Sequence, residues 1–241
     1  MRVNGFLLVL GFVSLLTAGS KASNTVVVFN DDFNAPNATS LQGRTPLVGT
    51  SWNVTSGATL IQNQSLDTSQ STSYTFAFGG LSRALGAGEE ITLNFTTLAP
   101  SSGKFFTTGW AGISLYTGGS NGSERIFIGS VGGSPNWGIQ GGALSGTQIF
   151  STITSAAADV SFQYAYNTGN WSLSVGSESL SGTAAASLAF NTLRIGGDFN
   201  NLANINVDSL SASITTVPEP SALSLLAVGL GGLAMMRRRR S

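Results

Sequence analysis

Through the middle of the chain apolar and polar positions alternate with a period of two. Val160, Phe162, Tyr164 and Tyr166 hold one phase against Ser161, Gln163 and Ala165; after 167–170, Trp171, Leu173 and Val175 resume against Ser172 and Ser174. Successive side chains of a strand point to opposite faces, so this reads as a hairpin with one dry face and one wet face. Ile91, Leu93 and Phe95 alternate with Thr92, Asn94 and Thr96 in the same way. Further strands are expected at 26–29, 51–55, 59–62, 74–78, 109–116, 125–129, 136–140, 147–150, 192–196 and 205–214, divided by Gly, Ser and Asn. In the last of them Ile205 and Val207 share one phase while Leu210, Ala212 and Ile214 share the other, which predicts a bulge near Asp208 and Ser209. No long stretch between 24 and 216 carries a helical period. The pattern predicts an all-β domain over 24–216, a two-sheet antiparallel sandwich.

The two ends break this alternation. After Met-Arg-Val-Asn-Gly comes an apolar run at 6–16, then small residues up to Ser20-Lys21-Ala22. A charged start, a short apolar core and a small-x-small site predict a helical signal peptide over 1–22, cut after Ala22 by signal peptidase once the export machinery has engaged it. At the other end, 222–236 is a charge-free run of 15 residues, about 22 Å long as a helix, followed by Arg237, Arg238, Arg239 and Arg240. It is short for a hydrocarbon core of about 30 Å, but the arginines form a stop on the cytoplasmic side. A single transmembrane helix is therefore expected, with the sandwich outside the cytoplasm. A soluble helix is disfavoured by Gly229, Gly231 and Gly232, each costing about 1 kcal/mol in a helix interior.

Val217-Pro218-Glu219-Pro220, the apolar run and the arginine cluster, in that order, resemble the PEP-CTERM sorting signal of exopolysaccharide-producing Gram-negative bacteria. The resemblance covers 217–241. It implies that Pro218, Glu219 and Pro220 are the element recognised by a membrane-embedded exosortase, which cuts nearby and releases or transfers the body. The prolines supply a physical reason, holding the strip extended and out of the helix. The implied course is an inner-membrane-anchored precursor, then a cell-surface or extracellular product.

Composition changes the picture in two ways. The net charge of +0 conceals a segregation: without 1–22 and 218–241, five basic residues face ten acidic ones, a net of −5. An acidic body does not neutralise phosphates, which excludes nucleic acid as a partner. The chain has no Cys and no His, which excludes disulfides, thiolate or imidazole metal sites, Ser-His-Asp triads and Cys-His nucleophiles. A metal would have to be held by oxygen, which points to calcium. Asp31, Asp32, Asp198 and Asp208 are the candidate ligands; the alternative is that they form turns and cap strand ends, a habit of Asp. No other cofactor is expected.

The order of pieces along the body resembles concanavalin A-like jelly rolls, the laminin G, lectin and glucanase group. It is carried by Asp31-Asp32-Phe33, the strip from Leu41 through Pro46 to Trp52, the hairpin through Tyr166 and Trp171, then Leu193–Asp198 and a closing strand. First and last strands lying side by side would explain the matched look of 29–33 and 207–210. Some members of that group are glycoside hydrolases, which need two carboxylates about 5–9.5 Å apart. Their Glu-x-Asp-x-x-Glu strand has no counterpart here: Glu89 and Glu90 project to opposite faces, and Glu124 and Glu178 stand alone. The body is therefore not expected to be an enzyme. Carbohydrate binding is the sharper alternative, with Trp110, Tyr116, Asn136 and Trp137 as candidate contacts in the Gly-rich stretch 109–146; against it, a Trp in a sandwich is commonly core. The favoured expectation is an exported structural or interaction protein of the exopolysaccharide matrix, with a lectin-like module as the alternative.

Overall fold

A computed structural model describes residues 23–57, 59–71, 74–198 and 202–217. The signal segment 1–22, Pro218, Glu219, Pro220, the apolar run at 222–236 and Arg237, Arg238, Arg239 and Arg240 lie outside the described residues. Among the described residues no helix is long and apolar enough to cross a membrane.

The alternating segments pair into two antiparallel sheets. Nine strands build one: β1 (Thr25–Asp31), β2 (Thr39–Ser40), β4 (Leu60–Gln62), β5 (Ser65–Asp67), β7 (Glu89–Leu98), β12 (Ala158–Ala165), β13 (Asn170–Val175), β14 (Glu178–Thr183) and β16 (Asn206–Thr216). Their order is β14-β13-β12-β7-β16-β5-β4-β2, with β1 also paired to β16. The other seven are β3 (Asn53–Ser56), β6 (Thr75–Gly80), β8 (Ala111–Thr117), β9 (Ser123–Ser130), β10 (Trp137–Gln140), β11 (Ile149–Phe150) and β15 (Thr192–Gly197), in the order β11-β10-β9-β8-β15-β6-β3. Single 3-10 turns at Thr68–Gln70 and Gly142–Leu144 are the only helical pieces among the described residues.

The dry faces meet between the sheets. Leu93 and Phe95 of β7 and Phe162 and Tyr164 of β12 are buried, as are Ile113, Ile128 and Ile195 from the facing sheet, all in one core cluster. Each such side chain contributes about 1.5–3 kcal/mol by leaving water. The expected bulge is present: the register of β16 against β7 shifts between Val207 and Ser209. The first and last strands of the body are matched as expected, β1 lying on β16 with Phe29 opposite Ala212 and Asp31 opposite Leu210. Beyond that ladder the Thr216 amide donates to the Asn24 carbonyl at 2.9 Å.

A polar clasp joins the sheets near the start of the chain. Asp31, the last residue of β1, is fully buried. Its Oδ1 accepts from the Phe33 amide (2.9 Å) and its Oδ2 from Trp52 Nε1 (2.7 Å) and from the Arg44 guanidinium. Paired backbone bonds, Gly43 N to Trp52 O (2.8 Å) and Trp52 N to Arg44 O (2.9 Å), hold the two donors side by side. The Trp52 ring stands edge-on to Phe29 at 5.3 Å. Since β1 belongs to the nine-stranded sheet and Trp52 directly precedes β3 of the other, one carboxylate ties the two layers together.

At the start of β7, Glu89 accepts from Arg83 Nη1 and from the Gly86 amide, both at 2.9 Å. The hydrogen bond from Arg83 is the main reason its carboxyl sits below the ordinary carboxylate range. A carboxylate with a depressed folded pKa adds stability that is present above its unfolded pKa and is lost as pH falls through the folded one. Glu89→Gln should therefore flatten the acid limb of a stability-against-pH curve and leave its alkaline limb in place; acid titration of both proteins, followed by circular dichroism, checks this.

Candidate functional site

The outer face of the seven-stranded sheet carries the chemistry. In β6 the usual pattern is inverted: Thr75, Ala77 and Gly79 are buried in one phase, while Phe76 and Phe78 occupy the outward phase. Arg194 and Gly196 of β15 point the same way, between inward Leu193 and Ile195. Gly112, Ser114 and Tyr116 of β8 and Phe127 and Gly129 of β9 complete the face. A register shift between Leu115 and Tyr116 sets Glu124 directly opposite Tyr116.

A row of glycines crosses this face. Phe76 is opposite Gly196, which is opposite Gly112, then Gly129, then Gly138 of β10. The missing side chains let neighbouring rings lie down on the sheet. A Cβ at Gly196 would stand 2.8 Å from the Trp110 ring, one at Gly112 would stand 2.8 Å from Phe127 Cζ, and one at Gly138 would stand 3.0 Å from the Phe150 ring. Tyr74, Phe76 and Trp110 form a strip of near-parallel rings, with centroids 6.3 and 5.7 Å apart and planes inclined by 16° and 29°. Phe127 supports Trp110 edge-on at 6.2 Å. Tyr74 is exposed, Phe76 and Trp110 are half-buried, and Phe127 is buried.

Beside the strip lies a polar array centred on Arg194. Its guanidinium stands 5.0 Å from the Trp110 ring and 5.3 Å from the Phe76 and Tyr116 rings, which favours a cation there. Nη1 donates to the Tyr116 hydroxyl at 2.7 Å; Nη2 donates to Ser114 Oγ at 3.0 Å and to Glu124 Oε2. The same Oε2 accepts from Ser114 Oγ at 2.8 Å. Burial pushes the Tyr116 hydroxyl above the usual phenol range, so it keeps its proton at neutral pH. Phe76, Trp110, Tyr116, Glu124, Phe127, Gln140 and Arg194 line an open trough of about 360 Å³, within the ordinary size of ligand sites.

Glu124 is the one carboxylate in the lining of this trough. Asp198 shares the outward phase of Arg194 and Gly196, but Glu124 pairs through Tyr116 with Thr192, six residues from Asp198 along β15. That is a backbone offset of about 20 Å at 3.3–3.4 Å per residue, and Asp198 is not among the residues that line the trough.

Of the sequence candidates, Trp110 and Tyr116 converge on the trough. Tyr116 is 7% exposed and acts there through its hydroxyl, with its ring edge-on to Phe78 at 5.4 Å. Trp137 requires a correction: it shares the inward phase of Ile139, is fully buried, packs 4.5 Å from Phe105 and donates from Nε1 to the Ser155 carbonyl at 2.8 Å. It is core and offers no platform. Asn136 is also outside the trough, its amide donating to the Ser151 carbonyl at 2.7 Å to brace the β10–β11 hairpin. Sequence reasoning missed Tyr74, Phe76, Phe127, Glu124 and Arg194, although the aromatic phase of β6 and the lone Arg between Leu193 and Ile195 were available signals.

The four aspartates do not meet. Asp31 is occupied by the clasp; Asp32 is in an exposed turn, accepting from the Asn34 amide at 3.0 Å. Asp198 is buried at the end of β15, where its amide donates to the Trp110 carbonyl at 2.9 Å. Asp208 is exposed at the bulge of β16. Among the described residues no group of three His, Cys, Asp or Glu is placed to hold a metal. The calcium set is thus corrected: Asp31 and Asp32 form the local turns that their side chains favour.

The outer face of the nine-stranded sheet differs in character. Ser179, Ser174, Ser161, Asn94, Ser211 and Asn30 run across six strands in one register row. A shallow depression of about 340 Å³ on this face is lined largely by hydroxyl and amide side chains, together with the Asp159 carboxylate, which accepts from Thr96 Oγ1 at 2.7 Å.

Residues 216–240 match the PEP-CTERM protein-sorting motif, which implies sorting through an exosortase. No curated protein matches the chain. Among solved structures, the body is similar in fold to arcelin-5, a lectin-like defense protein from Phaseolus vulgaris, at 10% identity over 82% of this chain and 99% of that one, with a TM-score of 0.49. It is also similar to winged bean acidic lectin complexed with methyl-α-D-galactose, at 11% identity over 82% and 100% of the two chains, TM-score 0.46. A sialidase is matched at 8% identity over 68% of this chain, TM-score 0.42; the chain spans only 16% of that protein's length.

Proposed function

We propose that this is an exported protein, delivered through the exosortase route to the cell surface or its surroundings, whose body binds carbohydrate on the outer face of the seven-stranded sheet. One observation carries the reading: Tyr74, Phe76 and Trp110 form a solvent-facing strip of near-parallel rings beside an Arg-Glu-Tyr-Ser array. A pyranose has one C–H face and a rim of hydroxyls. Flat rings take the face, and charge-assisted hydrogen bonds from fixed polar groups take the rim. The exopolysaccharide around the exporting cell is the natural source of such a ligand. We take the body to be a binder and not a hydrolase, because the trough lining offers one carboxylate where glycoside hydrolysis uses two. A second reading, a passive matrix component, is favoured by the row of Ser and Asn side chains across the nine-stranded sheet.

The two readings separate on Trp110. The full-length protein, held in a sugar-free detergent and run in gels cast with soluble polysaccharides, should be retarded by at least one of them. Trp110→Ala should weaken that binding about tenfold, the effect of losing roughly 1.4 kcal/mol of ring contact. Tyr74→Ala, at the exposed end of the strip, should weaken it less and leave the melting temperature unchanged. Wild-type binding that both variants retain in full would refute the assignment to this face.

A further inference from the structure

We infer that the trough takes an uncharged polysaccharide and discriminates against uronate- or sulfate-bearing chains; this deepens the carbohydrate reading above and rests on it. Arg194 is the one cation in the lining. Both of its terminal nitrogens are committed, Nη1 to Tyr116 and Nη2 to Ser114 and Glu124. Its Nε is buried, without a partner among the described residues, and its side chain is 11% exposed. An anionic sugar is recognised by a guanidinium fork with both donors free. Here the fork is already closed on an internal carboxylate, so an incoming anion would have to displace Glu124 and meet its charge.

What the trough does present is acceptor capacity. Among the described residues, the side-chain hydrogen bonds of Glu124 run through Oε2, and its side chain is 29% exposed. Oε1 therefore remains to accept from ligand hydroxyls, which a neutral sugar carries all around its ring. The Gln140 amide, opposite Phe127 in the register, adds its Nε2 donor without charge, its Oε1 already accepting from Gln148 Nε2 at 3.0 Å. The body's net charge of −5 works against the approach of a polyanion within the screening length of about 8–10 Å. Arg125, next along β9, turns its Nε to Thr117 Oγ1 at 3.2 Å and takes no part in the lining.

The length of the face adds a constraint. Gly196, Gly112, Gly129 and Gly138 lie on four adjacent strands, a run of about 14 Å at 4.7–4.9 Å per strand. Exposed rings stand on the two sides of this row, Tyr74 stacked on Phe76 and Phe150 over Gly138. The trough beside it is open to solvent, which suits an internal stretch of a chain as well as a sugar terminus.

The test uses the full-length protein in sugar-free detergent, in affinity gels cast with mixed-linkage β-glucan, galactomannan or dextran as neutral probes and alginate as the acidic one. Retardation by a neutral polymer, insensitive to added salt and absent with alginate, is the expected result. Glu124→Gln should lower the neutral-polymer affinity about tenfold and, by releasing the Arg194 fork, create alginate binding that salt abolishes; a melting curve confirms that the variant is folded. Salt-sensitive binding of wild-type protein to alginate with none to the neutral polymers would overturn the inference while leaving the carbohydrate reading in place. Glu124→Gln binding a neutral polymer as well as wild type, or better, would also overturn it. No retardation by any of the four would defeat both.

Discussion

Asp31→Asn should destabilise the body by about 3–5 kcal/mol, the usual cost of breaking a buried ion pair from one side. At about 2–4 °C per kcal/mol for a domain of this size, the thermal midpoint should fall by roughly 10 °C. The substitution is isosteric but inverts the chemistry. Trp52 Nε1 and the Arg44 guanidinium both donate to Oδ2, and an amide nitrogen in that place would set a third donor against them. Turning the amide round rescues these two but faces the Phe33 amide with a donor instead. Arg44, at 15% side-chain exposure, would keep as its counterion only the exposed Asp32 carboxylate, 4.0 Å from Nη2. Trp52→Phe is a useful comparator, since it removes one hydrogen bond and should cost less. Thermal melting of the three proteins checks the order; a loss under 1 kcal/mol for Asp31→Asn would mean that the carboxylate does not bear this role.

Gly112→Ala is the second large effect. Gly112 is in β8, between β15 and β9, near the middle of the seven-stranded sheet. An added Cβ would press on the Ile128 carbonyl oxygen, and would stand 2.8 Å from Phe127 Cζ and 3.0 Å from Gly129 Cα. Two of the three obstacles are backbone of a paired strand, which cannot swing aside as a side chain can. Overpacking of this kind costs about 1–3 kcal/mol, more where the backbone must move. A loss of about 3 kcal/mol is expected, together with displacement of Phe127 from under Trp110 and hence weaker polysaccharide binding. Gly86→Ala gives the contrast: its nearest neighbour is the Glu89 carboxylate at 3.4 Å, and stability should change by less than about 0.5 kcal/mol. Equal stability of the two variants in urea titration would contradict the close packing of rings on the glycine row.

Most of the fold could be read in advance because a half-buried strand writes its own orientation. The β12–β13 hairpin, β7 and the bulge in β16 follow directly from alternation. Strands without that signature escaped. Ser65–Asp67 is buried at all three positions, Thr39–Ser40 is too short to alternate, and β14 at the sheet edge carries Leu180 as its one large apolar residue. The site was half legible. Trp110 and Tyr116 stand out through their Gly-rich surroundings, whereas Trp137, in the same surroundings, is core, and Ile139 two residues on marks the phase of β10 as inward. The place of Glu124 was out of reach, because it depends on a one-residue slip between β8 and β9 that composition does not announce.

The adjacency of β1 and β16 has a mechanical consequence. With the Asn24 carbonyl bonded to the Thr216 amide, the two ends of the body emerge together from neighbouring antiparallel strands. Tension applied between them would open that pair like a zipper, one bond at a time and at low force. Tension between the C-terminal end and a polymer gripped on the opposite layer takes another path. It pulls β16 along its own axis against ten paired positions of β7 on one side and β1 on the other, so that the ladder bonds must yield in concert. The strand that leads to the sorting motif is thus built to carry load.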